Sequence, residues 1–358
     1  MEKLQPILSH LDNLAPLYIA GPCSAESRDQ ILRTADGVRQ AGARVFRAGI
    51  WKPRTLPGGF EGVGSVGLEW LLEVKQTTGM AVATEVATAQ HVREAMQHEV
   101  DILWIGARTS ANPFAVQEIA DTITTIGADK VAVLVKNPVN PDLELWVGAL
   151  QRLYNAGVHR LGAIHRGFSV YGQHLYRNLP LWRIPLELAR RFPTLPLICD
   201  PSHIGGRADL VNTLSRQAMD MGYDGLIIES HCAPQQALSD SRQQITPHQL
   251  ATLLSGLNVR THRQPDDSLK NMRDEIDRLD AELLDVLGRR MQLSREIAQY
   301  KKEKHIPIFQ AERYDQIMTD RISSARRLNM SDDFTRNLMS AIHEESVRQQ
   351  LTIYNKPH

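Results

Sequence analysis

The sequence predicts an α/β fold, a (β/α)8 TIM barrel, followed by an all-helical domain. Three observations carry this reading. Eight short apolar, β-prone runs alternate with helical patterns through residues 1–256. Each run leads into a side chain that can ionise or bind a metal. Beyond a polar linker at 257–267, apolar residues recur in steps of three and four through 268–358, the signature of long helices.

The runs are Leu17–Ala20, Ala43–Phe46, Ala81–Thr84, Ile102–Ile105, Val131–Val135, Arg160–Ile164, Leu195–Cys199 and Gly225–Ile228. Short runs without polar alternation suit strands buried on both faces of a parallel sheet. Helical patterns lie between them at Ser27–Gln40, Gly67–Thr78, Thr88–His98, Pro113–Ile126, Asp142–Asn155 and Asp209–Met221. Such alternation favours a barrel, with a doubly wound sheet as the competing arrangement.

Bulk composition narrows the function classes. Lys+Arg and Asp+Glu both number 41, so net charge gives no basis for nucleic-acid or membrane binding. No apolar run approaches the ~18 residues of a membrane span, and the first residues lack a signal-peptide core. Three cysteines in 358 residues argue against a disulfide framework. The expectation is a soluble, cytoplasmic protein.

The strands run in order into Cys23, Arg47, Glu85, Arg108, Lys136, His165-Arg166, Asp200 with His203, and Glu229 with His231. In a barrel all C-terminal strand ends converge on one mouth, where active sites are built. Arg47, Lys52, Arg54, Arg108, Lys136 and Arg166 form a cationic set in which like-charge repulsion calls for anionic ligands. Arg54 and Lys52 belong to a Gly/Pro-rich loop, Lys52-Pro53-Arg54-Thr55, that continues to Gly59. Cys23, His203, Glu229 and Asp240 offer mixed S/N/O ligation suited to Mn, Fe, Co or Zn. No CxxC or HExxH spacing supports that metal reading, and Cys23 also reads as a buried small apolar residue and His203 as a capped loop histidine.

The motifs Ala20-Gly21-Pro22-Cys23, Lys52-Pro53-Arg54-Thr55, Gly106-Ala107-Arg108, Asp200-Pro201-Ser202-His203 and Asp224–His231 with Ala237-Leu238-Ser239-Asp240 occur in this order. Together they resemble 3-deoxy-D-arabino-heptulosonate 7-phosphate (DAHP) synthase over residues 17–250, in its shorter subfamily related to 3-deoxy-octulosonate 8-phosphate synthase. The resemblance implies condensation of phosphoenolpyruvate with erythrose 4-phosphate, releasing phosphate. It implies a divalent metal, manganese first with cobalt, iron or zinc as alternatives, on Cys23, His203, Glu229 and Asp240. Arg108, Lys136 and Arg166 would bind phosphoenolpyruvate, with Arg47, Lys52 and Asp200 beside it. Pro53, Arg54 and Thr55 would receive the sugar phosphate, and Glu85 beside Lys136 would orient water. Lys52, Glu85, Lys136 and His203 are the expected catalytic residues. The octulosonate relative lacks the Lys-Pro-Arg-Thr loop, so residues 52–55 choose between the two. His165 stands where many relatives carry Glu. Cys199 reads as core, and Cys232 as structural.

In the C-terminal part, Leu269, Met272, Ile276, Leu279, Leu283, Val286, Leu287, Leu293, Ile297 and Tyr300 mark one helix of about 35 residues. At roughly 50 Å it needs partner helices from a second copy. Shorter helices follow near Glu312–Ser324 and Ser331–Ile353. Arg290 and Lys301 are eleven apart and share a face, whereas Arg273 lies about 100° away from Arg290. The pattern Leu269, Arg273, Ile276, Asp280, Arg290, Lys301, Arg313, Glu345-Ser346 and Gln350 is similar to all-helical chorismate mutases. That resemblance implies a homodimer in which Arg273 reaches the partner's pocket. Arg290, Lys301, Arg313, Ser346 and Gln350 would line the pocket in cis, and chorismate would rearrange to prephenate. Lys301 and Gln350 are the expected donors to the ether oxygen. Gln310 and Tyr314 depart from common Asp and Glu. The competing reading makes this domain a dimerising sensor of prephenate or chorismate that inhibits the barrel.

Overall fold

A computed structural model describes residues 1, 3–8, 16–52, 58–172, 174–257 and 267–355. Contacts divide the chain into two compact units, Met1–Thr261 and His262–His358.

The first unit is a closed barrel of parallel strands, each paired with its neighbours in sequence order. The strands are β1 (Leu17–Gly21), β2 (Val45–Arg47), β3 (Ala81–Val86), β4 (Ile102–Ile105), β5 (Ala132–Lys136), β6 (Leu161–His165), β7 (Leu197–Cys199) and β8 (Gly225–Glu229). Pairing of Ile19 with Val45 and of Ile19 with Ile227 closes the ring through β1. Helices α1 (Arg28–Gln40), α2 (Val66–Thr78), α3 (Ala89–Gln97), α4 (Pro113–Ile126), α5 (Leu143–Asn155), α6 (Arg183–Arg191), α8 (Ala208–Asp220) and α9 (Pro247–Ser255) surround it. A one-turn helix α7 (Pro201–Gly205) follows β7 directly, where sequence periodicity predicts only a loop. Several helices start as their sequences dictate. The side chains of Ser27, Thr88, Asn112 and Asp142 accept backbone N–H groups of the first turn, and Thr246 and Gln249 form a reciprocal capping box.

The strand period of two sorts the side chains. Ile19, Val45, Ala83, Ile102, Trp104, Ala132, Leu134, Ile164, Ile198 and Ile227 form one buried cluster inside the barrel. Alternate residues such as Phe46, Val82, Leu103, Val133, Ala163 and Leu226 pack in the layer shared with the helices. Ile7 and Leu8 join the inner cluster, and Gln5 N–H bonds His159 O just before β6, so residues 3–8 close the barrel floor.

Among its described residues the second unit has three helices: α10 (Asp267–Glu303, 37 residues), α11 (Ala311–Arg327) and α12 (Asp332–Tyr354). The C-terminal half of α10 buries Met291, Ser294 and Ala298. Its N-terminal half leaves Leu269, Met272, Ile276, Leu279, Leu283 and Val286 each at least 38% exposed. Among the described residues no helix is long and apolar enough to cross a membrane.

Candidate active sites

Period two also aims the charges at the mouth. Arg47, Glu85, Lys136 and Glu229 share strand parity with the inner apolar residues, as do Arg166 and Asp200 just beyond β6 and β7. His165 and Cys199 have the opposite parity, and this corrects the reading of His165 as a mouth residue. His165 is fully buried against Phe168, Trp182 and Tyr223. Its Nε2 bonds Pro180 O at 2.7 Å and its Nδ1 bonds the Tyr223 hydroxyl at 2.9 Å. Burial pushes its pKa down to about 3, so the ring stays neutral.

Cys23, Glu229 and Asp240 bring one ligand atom each within 4.8 Å of one another. His203 Nε2 approaches from the side, 3.8 Å from Glu229 Oε1, while its Nδ1 lies 2.8 Å from Asp200 Oδ2. A carboxylate behind the imidazole fixes the ring and leaves the other nitrogen for ligation. Glu229 Oε1 is buried without a hydrogen bond, a vacancy in bonding that a cation would fill. Soft sulfur, imidazole and carboxylate donors together fit a divalent transition ion. Burial, Glu229 and Asp240 push the Cys23 thiol up to about 12 against Lys52 and Arg47, so binding an ion there expels a proton.

The cations surround this cluster. Lys52 Nζ lies 3.1 Å from Cys23 Sγ. Burial works against its charge, yet Cys23, Glu85 and Glu229 outweigh that and raise its pKa. Arg47 is 1% exposed, stacks over Trp104 at 4.7 Å and reaches Glu229 Oε1 at 3.5 Å. Its Nε and Nη1 are buried without acceptors, directional donors available to an anion. Lys136 Nζ pairs with Asp200 Oδ2 at 2.9 Å. Asp200 also accepts the His203 N–H and so caps α7, which makes it the joint between the cationic and metal-binding sets. Both its oxygens are engaged by protein. Arg166 donates to Asn178 Oδ1 at 2.8 Å, and its backbone N–H donates to Asn137 Oδ1 at 2.7 Å. Burial, with Arg177 and Arg108 nearby, lowers its pKa to about 10. Arg108 is exposed. Glu85 accepts the Trp104 indole N–H at 3.1 Å, and a Cβ at Gly106 would lie 2.1 Å from Glu85 Oε1, so glycine makes room for the carboxylate. Pro53, Arg54 and Thr55 lie outside the described residues.

Sequence reasoning passed over Trp104, Asn137, Arg177, Asn178 and Gln243. Only Trp104 carried a signal, its inward parity on β4. The others come from loops and side-chain networks with no local pattern.

In the helical unit, Arg290 Nη1 donates to Ser346 Oγ at 2.6 Å and Gln350 Nε2 donates to Ser294 Oγ at 3.1 Å. Gln350 Oε1 is buried without a partner. Lys301 Nζ bonds Ile308 O at 2.7 Å, and its pKa is lowered by burial. Burial and Arg321 lower the pKa of Arg290, placing another cation beside it. The Tyr314 ring lies tilted at 55° against His343, centroids 4.6 Å apart, and burial, Arg290 and Lys301 depress that imidazole. Arg313 is exposed and donates to Gln316 on its own helix. Arg273 is exposed, about 25 Å along α10 from Arg290.

Comparison with known proteins fits this geometry. Residues 9–263 match the family model described as DAHP synthetase I family, and residues 272–351 match chorismate mutase type II. The phospho-2-dehydro-3-deoxyheptonate aldolase of Thermotoga maritima is 35% identical over 227 residues, 63% of this chain and 64% of that protein, just under two thirds of its length. The 2-dehydro-3-deoxyphosphooctonate aldolase of Wolinella succinogenes is 30% identical over 67% of this chain and 97% of its own. The crystal structure of the Thermotoga maritima DAHP synthase superposes with a TM-score of 0.61 at 30% identity, covering 74% of this chain and 70% of that one. On the match over residues 9–263 the chain belongs to the DAHP synthetase I family, and it carries a chorismate mutase type II domain at residues 272–351, later in the sequence than the barrel.

Proposed function

We propose that the barrel condenses phosphoenolpyruvate with erythrose 4-phosphate and that the helical unit rearranges chorismate to prephenate. The observation that carries the first part is the meeting of Cys23, Glu229 and Asp240, with His203 beside them, and the buried unpaired nitrogens of Arg47. Lys136, Arg166 and Arg108 hold the phosphate of phosphoenolpyruvate, while Arg47 and Lys52 take its carboxylate. The enol carbon attacks the aldehyde, forming the new C–C bond. Water adds to the resulting cationic carbon, and Glu85, fixed by Trp104, orients it. Phosphate then leaves with its charge stabilised by the same cations. A divalent ion on Cys23, His203, Glu229 and Asp240, manganese first, would supply Lewis acidity at the aldehyde oxygen. Arg54 and Thr55 receive the sugar phosphate.

For the second activity, Arg290 and the partner's copy of Arg273 hold the two carboxylates. Lys301 and Gln350 donate to the ether oxygen as charge develops there. The exposed apolar stripe of α10 supports a homodimer that supplies that second arginine. Because prephenate occupies the helical site as product, its binding can also bias the barrel by linkage.

Assay of the full chain with phosphoenolpyruvate and erythrose 4-phosphate tests the barrel reading. Turnover that survives complete chelation refutes the metal. The similarity to octulosonate aldolases motivates a parallel assay with arabinose 5-phosphate; preference for that sugar overturns the substrate assignment. A lack of chorismate turnover in the same preparation leaves the helical unit as a sensor.

A further inference from the structure

We infer that Arg177 and Gln243 form an outer clamp that turns one oxygen of each metal-binding carboxylate toward the ion. This positioning role rests on the metal reading above, and neither residue belongs to any motif of the sequence.

Each carboxylate divides its oxygens between two tasks. Asp240 Oδ1 accepts from Arg177 Nη1 at 2.9 Å, while Oδ2 lies 3.3 Å from Cys23 Sγ. Glu229 Oε2 accepts from Gln243 Nε2 at 2.7 Å. Glu229 Oε1 makes no hydrogen bond; it faces His203 Nε2 at 3.8 Å and the Arg47 guanidinium at 3.5 Å. In both residues the outer oxygen is held by the clamp and the inner one turns toward the other candidate ligands, Cys23 for Asp240 and His203 for Glu229.

A single nitrogen organises this division. Arg177 Nη1 also donates to Gln243 Oε1 at 2.8 Å, so its two hydrogens serve Asp240 and Gln243. Because a guanidinium has no acceptor, that bond sets the amide orientation and sends the Gln243 NH2 toward Glu229. Asp240 and Gln243 sit at the two ends of one tight turn, closed by Gln243 N–H on Asp240 O at 3.2 Å. Asp240 takes a left-handed φ of 47° there, a conformation that Asp adopts more readily than most residues.

Arg177 is itself anchored to the element carrying the fourth ligand. Its backbone N–H bonds Gly205 O at 3.3 Å, and Asn178 N–H bonds Ile204 O at 3.1 Å. Asn178 Nδ2 donates to His203 O at 2.6 Å. Gly206 has φ +67°, and a Cβ there would lie 2.4 Å from Arg177 Cβ. The Arg177 side chain, 49% exposed and filling no core, thus holds Asp240 directly and Glu229 through Gln243, while the backbone of residues 177–178 and the Asn178 side chain tie the same segment to the helix carrying His203. Its charge would offset, from outside, the crowding of a metal-bound thiolate with two carboxylates, without occupying the space between them.

Titration with Co2+, followed through the thiolate-to-cobalt absorption, tests the clamp on the full chain. The parent protein shows the band and Cys23→Ser does not; a parent without the band overturns the metal reading and the clamp with it. Given the band, Arg177→Met and Gln243→Glu shift the titration midpoint to about tenfold to a hundredfold higher free Co2+. Arg177→Lys, which keeps the charge and can serve both acceptors less well, falls between. The melting temperature of metal-free Arg177→Met stays within about 3 °C of the parent. Unchanged midpoints in both variants overturn the clamp. A larger loss of metal-free stability, with the midpoint recovering under conditions that restore folding, assigns Arg177 a structural role and overturns it equally.

Discussion

The two units build polar sites in opposite ways. The barrel draws its charges from the ends of successive strands and buries them. Arg47, Lys136, Asp200 and Glu229 are nearly inaccessible and tied to one another. The helical unit lines its site from one face of α10 with α12 and leaves the other half of α10 bare. A closed barrel gathers its ligands within one chain, because closure brings every strand end to one place. A three-helix unit has little interior, and the N-terminal half of its longest helix keeps its apolar residues exposed, which is the basis of the proposed dimer.

The contrast can be broken by experiment. The largest effect is expected at the barrel, where Lys136→Met removes a buried cation and leaves Asp200 half paired. Condensation should fall about 10^2–10^3-fold in steady-state assay while chorismate turnover in the same sample stays unchanged. A parallel fall in chorismate turnover would mean the units are not independent.

Next comes complementation in the helical unit. Arg273→Ala and Arg290→Ala should each abolish chorismate turnover alone. Mixed and refolded together in equal amounts, they should regain about a quarter of parental activity, since half the dimers are mixed and each carries one intact site. No recovery would place Arg273 in its own chain's pocket, or outside the site.

A smaller effect is expected from Leu279→Asp, in the middle of the exposed stripe. The charge should weaken association, so chorismate turnover per chain drops on dilution while condensation does not. Sedimentation at the same concentrations checks the assembly directly.

The smallest effect concerns His165, which is held neutral with a pKa of about 3. Its folded pKa is below the unfolded value of about 6.5, so its neutral form supports the fold above that pH. The support is lost as pH falls from about 6.5 toward 3, when the unfolded chain takes up a proton the folded one refuses. His165→Phe should flatten the acid limb of a melting-temperature profile, by at most about 1.4 kcal/mol per pH unit.

Much of the barrel was legible because its pattern is local. Each apolar run became a strand, and counting in twos from Ile164 and Ile198 assigns Arg166 and Asp200 to the interior. The same count sends His165 outward, a conclusion available from Leu161 and Ala163 alone. What could not be read is the network that sets ligand geometry. Arg177 meets Asp240 across 63 residues of sequence, and nothing near either one announces the pair. Helix α7 was missed because one turn leaves no periodicity; its signal is Asp200 before Pro201, a cap and a first helical residue.

The floor of the barrel has a bearing on how the unit assembles. Gln5 bonds His159, and Ile7 lies against the position where a Cβ at Gly162 would be. These contacts join segments roughly 150 residues apart, so loop closure on that scale must precede them. Strands β1 to β5 can pair with neighbours close in sequence, but the interior is sealed from below only after β6 takes its place. The barrel should therefore become protease-resistant in one late step, and shortening the chain by residues 3–8 should expose that core even though no catalytic group is touched.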